Sequence, residues 1–266
     1  NAFAGHGRSA RSVLLVAMGR ATWPGSGGVP WRKCYQTRGD RRVAKLPRPA
    51  RASTSALPWR RPNDREEFPL KPTLPLAGIR VLTFENFGAG PFGSMYLADL
   101  GAEVIKVENR DQGGDATRGM GPFFLGAHDS HFFQTFNLNK KSIALNLKRA
   151  EARDAFHRIV RTADVVMNNL RGDQPEKLGL DYATLGPVNP RILCAHLSAY
   201  GRDNERKGWP GYDYLMQAEA GYLHLTGEPG TPPARMGLSV IDYMTGITTA
   251  VAVLGALVGV MKSGRG

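Results

Sequence analysis

Cysteine is almost absent from this chain of 266 residues, and its few histidines are scattered. Cys34 lies in a basic N-terminal stretch, and Cys194 lies far from it in an apolar segment. Two cysteines in these places exclude a disulfide framework and a thiolate metal site. His128 and His131 are the only closely spaced histidines, and they have no further ligands at metal-binding spacing. We therefore expect no metal ion.

Acidic residues are scarce only in the first part of the chain. The formal net charge is +12, and residues 1–61 account for all of it, with 13 of the 35 Lys and Arg and only Asp40 among the 23 acids. The remaining residues carry no net charge, which excludes a nucleic-acid-binding domain there. The leader, residues 1–73, is typical of a disordered extension or a mitochondrial transit peptide. We expect a cytoplasmic protein, or a mitochondrial matrix protein if the leader is a transit peptide.

Long apolar runs are equally rare. Residues 13–17 are too few for a secretory signal or a membrane span. Residues 243–261 contain no charge and are long enough to cross a bilayer, with Gly255 and Gly259 in a small-residue packing pattern. A membrane-anchored module is one interpretation, and a helix buried in a core or an interface is the other. Asp242 at the head of this segment favours burial, so we expect no membrane partner.

Apolar segments of strand length alternate with amphipathic ones from residue 76 onward. The pattern predicts strands at residues 79–84, 103–107, 142–147, 165–167 and 192–197. It predicts helices at residues 91–100, 150–162, 182–185, 214–225 and 243–261. This alternation predicts an α/β fold, a Rossmann-like parallel sheet with helices on both faces.

A glycine-rich turn follows the first predicted strand. Gly88, Gly90 and Gly93 form a G-x-G-x-x-G pattern, and Glu108 ends the next strand. This pattern is typical of a dinucleotide site in which the acid holds a ribose hydroxyl. Three residues separate the strand from Gly88, however, and the helix is about one turn shorter than such sites require. The turn predicts an anion site at a helix start, with a nucleotide-dependent oxidoreductase as an alternative function.

Two aspartates stand immediately before predicted helices. Asp213 precedes the helix of residues 214–225, and Asp242 precedes the uncharged segment. An aspartate at a helix start accepts a backbone N–H bond and favours the positive end of the helix dipole. Spacing alone therefore favours capping over catalysis for Asp242.

Short motifs follow one another in a fixed order over residues 74–266. They are residues 75–82, 89–91, 100–108, 114–118, 139–142, 166–171, 177–179 and 211–213, and Asp242 ahead of Thr245 and Gly246. Together they resemble the class III CoA-transferases, the family of formyl-CoA transferase and the carnitine and bile-acid CoA-transferases. The family also includes α-methylacyl-CoA racemase.

The resemblance implies catalytic roles for Asp242, Tyr212 and Asp213. Asp242 matches the family nucleophile, a carboxylate that attacks an acyl-CoA carbonyl without a general base. The helix start at Asp242 is expected to offer N–H groups to developing negative charge. Tyr212 and Asp213 match a tyrosine–acid pair that positions the nucleophile, with core packing as the alternative for Tyr212.

The resemblance also implies a set of residues that contact CoA. Gly88 and Ala89 match the loop near the nucleophile and the pantetheine arm. The other matched residues are Arg118, Lys140, Lys141, Asn169, Leu170 and Lys177, the lysines contributing charge toward phosphates. An exposed strand-edge charge is the alternative for either lysine of the pair, and a brace with Asp115 is the alternative for Arg118.

The resemblance implies that residues 74–266 form an incomplete family large domain. Its activity would be transfer of CoA between an acyl-CoA and a carboxylic acid, with CoA as a substrate and no separate cofactor. The full-length protein would form an interlocked homodimer, and the isolated piece would be inactive. A tyrosine at position 212, where the racemase has histidine, favours transfer over the alternative, racemase-type proton exchange.

Overall fold

A computed structural model describes residues 73–266. The predicted leader, with Cys34 and the apolar run of residues 13–17, lies outside the described residues apart from Thr73. The strands are β1 (Arg80–Phe84), β2 (Glu103–Glu108), β3 (Phe124–Gly126), β4 (Asp129–Ser130), β5 (Lys141–Ala144), β6 (Val165–Asn168) and β7 (Leu193–His196). The α-helices are α1 (Ala89–Asp99), α2 (His131–Asn137), α3 (Ala150–Val160), α4 (Gln174–Lys177), α5 (Tyr182–Leu185), α6 (Asp213–Glu219), α7 (Tyr222–Leu225) and α8 (Val240–Ser263).

Five strands form one sheet in the order β5-β2-β1-β6-β7. Every neighbouring pair in it is parallel, and Val81 of β1 is in register with Val104 of β2 and Val165 of β6. The predicted α/β fold with a parallel sheet is confirmed. Parallel strands need crossover connections, and the helices between them place apolar residues on the sheet.

The sheet separates two apolar cores because side chains alternate along each strand. Val81 faces a core shared with α1 and α8, and the next residue, Leu82, faces a core shared with α3 and α5. Val165 and Val166 divide in the same way. Helices therefore cover both faces, as the alternation of the sequence predicts.

α1 and α8 pack so closely that their backbones touch. A methyl group added at Gly93 would lie 2.6 Å from the carbonyl oxygen of Gly246, and one added at Gly246 would lie 2.7 Å from the carbonyl oxygen of Ala89. Such distances allow only glycine at both positions. The crossing fixes the first turns of the two helices against each other.

Among the described residues, 73–266, one helix is long and apolar enough to cross a membrane, and this helix is α8. One face of it is buried in the core with α1, through Ala250, Val253 and Leu257. The opposite face exposes apolar side chains, among them Ile247, Val251 and Val258. The interpretation as a core helix therefore holds for one face of α8.

Besides the helices α2 and α4, which were not predicted, the structure departs from the predicted elements in two places. The single helix predicted at residues 214–225 is divided into α6 and α7, because Gly221 between them has a φ of 81° that no helix continues. The loop predicted between residues 109 and 130 contains the short antiparallel pair β3–β4. The side chains of β3 are exposed, so no apolar alternation marked this pair.

Candidate active site

The sheet has a switch point between β1 and β6, where the chain reverses the direction in which it adds strands, and we call the space between the loops that follow these two strands the crevice. From β1 the chain adds β2 and β5 on one side, then returns to add β6 and β7 on the other. The loops after the carboxyl ends of β1 and β6 therefore diverge, and open α/β sheets bind ligands at such points. Residues 85–88 follow β1 and residues 169–173 follow β6. The first turn of α8 lies against the first of these loops.

Two glycines of the turn mark where other side chains come into this crevice. A methyl group at Gly88 would lie 2.5 Å from Oδ2 of Asp242. One at Gly90 would lie 2.8 Å from Cγ of Asn169. Close approach of protein atoms therefore accounts for both glycines. The dinucleotide interpretation of the G-x-G-x-x-G pattern stays an alternative prediction for this turn.

Asp213, not Asp242, caps α8. The Oδ1 atom of Asp213 accepts hydrogen bonds from the backbone N–H groups of Ile241 (2.8 Å) and Asp242 (3.3 Å). The residue in the N-cap position, Ser239, makes no side-chain capping bond. The capping interpretation of Asp242 was therefore wrong. The expectation that these N–H groups are free to stabilise developing charge was also wrong, because Asp213 occupies two of them.

The Asp242 carboxyl is half-buried, and it accepts no hydrogen bond from any residue of the described range. Burial, together with the nearby negative charge of Asp213, raises its pKa to about 6. An ordinary aspartate has a pKa near 3.9 because water solvates its charge. Asp242 is therefore a poorly solvated carboxylate that is still mostly ionised at neutral pH.

Gln217 completes the support of the segment that leads into α8. Its Nε2 donates to Oδ2 of Asp213 (2.5 Å) and to the carbonyl of Leu238 (3.1 Å), and its Oε1 accepts from the N–H of Met236 (3.0 Å). Both side chains are buried, and the spacing of four residues places them on one face of α6. Sequence reasoning missed Gln217, for which that spacing from Asp213 was the available signal.

A buried ion network lies beneath the loop after β1. Nζ of Lys106 lies 2.6 Å from Asp115 and donates to the carbonyl of Glu85, and Nζ of Lys140 lies 2.9 Å from Glu85. Burial alone would raise the pKa of Glu85, but the charges of Lys140 and Lys106 hold it below its ordinary value. Ser94 of α1 also donates to Glu85. Sequence reasoning missed Glu85 and Lys106, although a lysine inside an apolar strand signals a buried partner.

Comparison with known proteins agrees with this arrangement. The family model described as CoA-transferase family III matches residues 76–266. The chain belongs to CoA-transferase family III. The match includes the loop after β1, the loop after β6 and the first turn of α8.

Relatives and solved structures of the family support the assignment. The succinate–glutarate CoA-transferase of Agrobacterium fabrum is 40% identical over 197 residues, which are 72% of this chain and 49% of that protein. The human succinyl-CoA:glutarate CoA-transferase is 35% identical over 192 residues, 72% of this chain and 43% of that protein. A crystal structure of a CaiB/BaiF family protein from Brucella suis is 34% identical with a TM-score of 0.67, over 73% of this chain and 52% of that one. The chain spans about half the length of the curated relatives it matches.

The residues that the family resemblance singled out fall into two groups in the structure. Gly88 lies beside the Asp242 carboxyl, and Ala89 follows it as the first residue of α1. Asn169 faces the same loop, with its side chain bonded to the backbone of Asn86. These residues gather at the crevice, whereas several of the basic residues do not.

Neither lysine of the pair at positions 140 and 141 is free at the crevice. Lys140 is buried, and its ammonium donates to Glu85 and to the carbonyl of Pro91. Lys141 is exposed, and its ammonium lies 2.6 Å from Glu103, the first residue of β2 and hence at the amino end of the sheet. A phosphate contact by Lys140 would require opening a buried ion pair. The exposed strand-edge alternative describes Lys141 and does not describe Lys140.

Arg118 braces its loop through Glu108, and not through Asp115 as the alternative prediction proposed. Its Nε and Nη2 donate to the two carboxylate oxygens of Glu108, at 2.9 and 2.7 Å, and its guanidinium lies 3.7 Å from the centre of the Phe133 ring. Glu108 also accepts from Ser142 and from the N–H of Asp115. Although burial opposes it, these bonds lower the pKa of Glu108 to about 2. Glu108 is thus occupied by protein groups, and a CoA contact by Arg118 stays a prediction.

The remaining predicted residues lie in three different surroundings. Tyr212 is exposed, and its ring meets the edge of Phe87 with centroids 6.3 Å apart, so the core-packing alternative is wrong. Leu170 packs against the core shared with α3 and α5. Lys177 is exposed and forms an ion pair with Asp173 at 2.7 Å. CoA contacts by Leu170 and Lys177 stay predictions.

Within residues 73–266, no group of three or more His, Cys, Asp or Glu side chains is arranged to hold a metal ion. The closely spaced His131 is engaged by Phe123. Its Nδ1 atom forms a hydrogen bond with the carbonyl oxygen of Phe123, and the rings of the two residues are in contact.

Proposed function

We propose that the protein transfers CoA between an acyl-CoA thioester and a carboxylic acid, with Asp242 as the nucleophile. The observation that carries this proposal is the half-buried carboxylate of Asp242 facing Gly88 in the crevice, with its pKa raised to about 6. A charged carboxylate that lacks hydrogen-bond donors is more reactive than one solvated by water. It is also mostly ionised at neutral pH, so it needs no general base.

The proposed reaction proceeds through two kinds of covalent intermediate on Asp242. The carboxylate attacks the thioester carbonyl, which forms a mixed anhydride and releases CoA as a thiolate. The thiolate attacks the aspartyl carbonyl, which forms an aspartyl-CoA thioester and releases the donor acid as its carboxylate. The acceptor carboxylate then attacks this thioester, which forms a second mixed anhydride and releases the CoA thiolate, and the thiolate attacks the acceptor carbonyl of that anhydride. The new acyl-CoA leaves, and the Asp242 carboxylate is restored.

The surroundings of Asp242 suit these steps. Asp213 and Gln217 fix the backbone that carries the carboxyl, so its position needs no reorganisation during attack. The N–H groups of Ala89 and Gly90 begin α1 directly after Gly88, and the first N–H groups of a helix have no partner inside it. We assign them the stabilisation of negative charge on the tetrahedral intermediates.

The names of the relatives indicate the substrates. Several similar proteins are named for succinate, glutarate, oxalate and mesaconate, which are all dicarboxylic acids. We propose a dicarboxylic acyl-CoA as donor and a dicarboxylic acid as acceptor. For the whole protein we propose a homodimer and no cofactor besides CoA.

Chemical trapping tests the nucleophile. The protein, expressed from its full open reading frame, is incubated with succinyl-CoA and quenched with hydroxylamine, which converts an aspartyl anhydride or thioester into a stable hydroxamate. Mass spectrometry should find the hydroxamate on Asp242, none in the Asp242→Asn variant, and the full amount in Asp154→Asn, which changes an exposed residue of α3. Exchange of the α-proton of a branched acyl-CoA, with no adduct on Asp242, would instead identify a racemase.

A further inference from the structure

Phe87 has a backbone conformation that its side chain does not favour. Its φ is 61°, in the left-handed region, which bulky residues rarely adopt. Asn139, the other non-glycine residue of the described range with a positive φ, is of a type that tolerates it. The loop after β1 must therefore be held in place by contacts outside Phe87, and strain of this kind is concentrated at functional sites.

The side chain of Asn169 supplies those contacts. Its Oδ1 accepts from the N–H of Asn86 at 2.9 Å, and its Nδ2 donates to the carbonyl of Asn86 at 2.7 Å. One amide thus bonds both backbone groups of the residue before Phe87. Asn169 is itself fixed, since its N–H donates to the carbonyl of Phe84 and its Cγ fills the space above Gly90.

The residue after Phe87 is Gly88, which lies against the Asp242 carboxyl. We propose that Asn169 is a positioning residue that acts through the loop of residues 86–88, holding Phe87 in its left-handed conformation and Gly88 against Asp242. Its side-chain amide bonds the loop and does not contact CoA. This role rests on the proposed function, because it concerns the acylation of Asp242.

A conformational rescue separates this role from direct binding of CoA by Asn169. Asn169→Ala removes both bonds to Asn86, and the loop then relaxes away from Asp242. Glycine adopts a positive φ without strain, so Phe87→Gly in the Asn169→Ala background should allow the loop to return. If the Asn169 amide bound CoA directly, a change at Phe87 could not restore that interaction.

The readouts are the rate of Asp242 adduct formation at saturating succinyl-CoA, the half-saturating concentration, and the Kd of CoA. Asn169→Ala should slow the saturated rate by about 100-fold, as a displacement of about 1 Å does in other sites. The Kd of CoA and the half-saturating concentration should change by less than about 3-fold, as expected when binding is unaffected. Phe87→Gly should recover most of the missing rate in the double variant.

A second variant tests the same positioning role without removing the Asn169 amide. Gly90→Ala places a methyl group 2.8 Å from Cγ of Asn169 and 2.9 Å from Cβ of Glu85, so it should displace the Asn169 amide and slow the saturated rate with unchanged CoA affinity. Weaker CoA binding by Asn169→Ala with an unchanged saturated rate, or no recovery on adding Phe87→Gly, would overturn the positioning role. The absence of any adduct in the wild-type protein would instead overturn the proposed function, and this role with it.

Discussion

The substitution Gly93→Ala should destabilise the protein, because α1 and α8 leave no room for a methyl group at their crossing. The added carbon would lie 2.6 Å from the carbonyl oxygen of Gly246 and 3.2 Å from its Cα. These are backbone atoms, so no side chain can rotate to relieve the clash. The two helices must therefore separate, and because α8 also carries Asp242, this carboxyl moves with it.

Two effects of opposite sign determine the magnitude. Overpacking of a close contact costs about 1–3 kcal/mol, or more where the backbone must move. Alanine is intrinsically better than glycine inside a helix by about 0.5–1 kcal/mol. Gly255 of α8 provides the matched control, since it is exposed and a methyl group there would have no neighbour within 4 Å. Gly255→Ala should therefore stabilise by about 0.5–1 kcal/mol, and because this gain is common to both variants, they should differ by the overpacking cost of about 1–3 kcal/mol.

Urea unfolding followed by circular dichroism measures this difference. The midpoint of Gly93→Ala should fall and that of Gly255→Ala should rise, with unchanged slopes, so that the shifts convert directly into free energies of unfolding. Equal midpoints for the two variants would show that the helices can separate at no cost. The glycine at position 93 would then have no packing role.

Two further predictions concern charge. Formation of the Asp242 adduct should increase with pH through a midpoint near 6, because only the carboxylate attacks, and burial together with the charge of Asp213 raises the pKa of Asp242 to about 6. Asp213→Asn should move this midpoint to lower pH. A wild-type midpoint near 3.8 would contradict the assignment. Lys106→Met should lower the free energy of unfolding by about 3–5 kcal/mol, because it leaves the buried carboxylate of Asp115 without its cation. Lys141→Met, which breaks an exposed pair, should change it by less than about 1 kcal/mol, and similar losses in both variants in urea unfolding would refute the buried network.

The periodicity of the sequence predicted the scaffold well, because strand and helix patterns are local. The segments predicted at residues 165–167 and 192–197 form β6 and β7 with small changes of their ends, and α5 has the predicted bounds. The division of the predicted helix at Gly221 was missed, since nothing in its apolar pattern required the left-handed conformation found there. Exposed short strands such as β3 carry no periodic signal at all.

The candidate site was harder to predict because its contacts join distant parts of the chain. Asp213 and Asp242 were both recognised, but which of them caps α8 depends on how α6 approaches it. The same limitation affected the lysines. A basic residue near a predicted phosphate site looks the same in sequence whether it faces a ligand, as expected of Lys140, or a buried carboxylate such as Glu85. Only the three-dimensional arrangement distinguishes these cases.

The glycine turn shows why one sequence pattern can serve different sites. A glycine in a sequence indicates that another group lies too close to the backbone for a Cβ atom, but it does not indicate which group this is. In a dinucleotide fold the approaching group is a pyrophosphate, whereas here Asp242 meets Gly88, Asn169 meets Gly90, and the backbone of α8 meets Gly93. With Asp242 as the proposed nucleophile, the turn holds the reacting carboxylate in the crevice instead of holding a phosphate there. The same three glycines then place the Asp242 carboxyl, the Asn169 side chain and the crossing with α8 along the first two turns of α1.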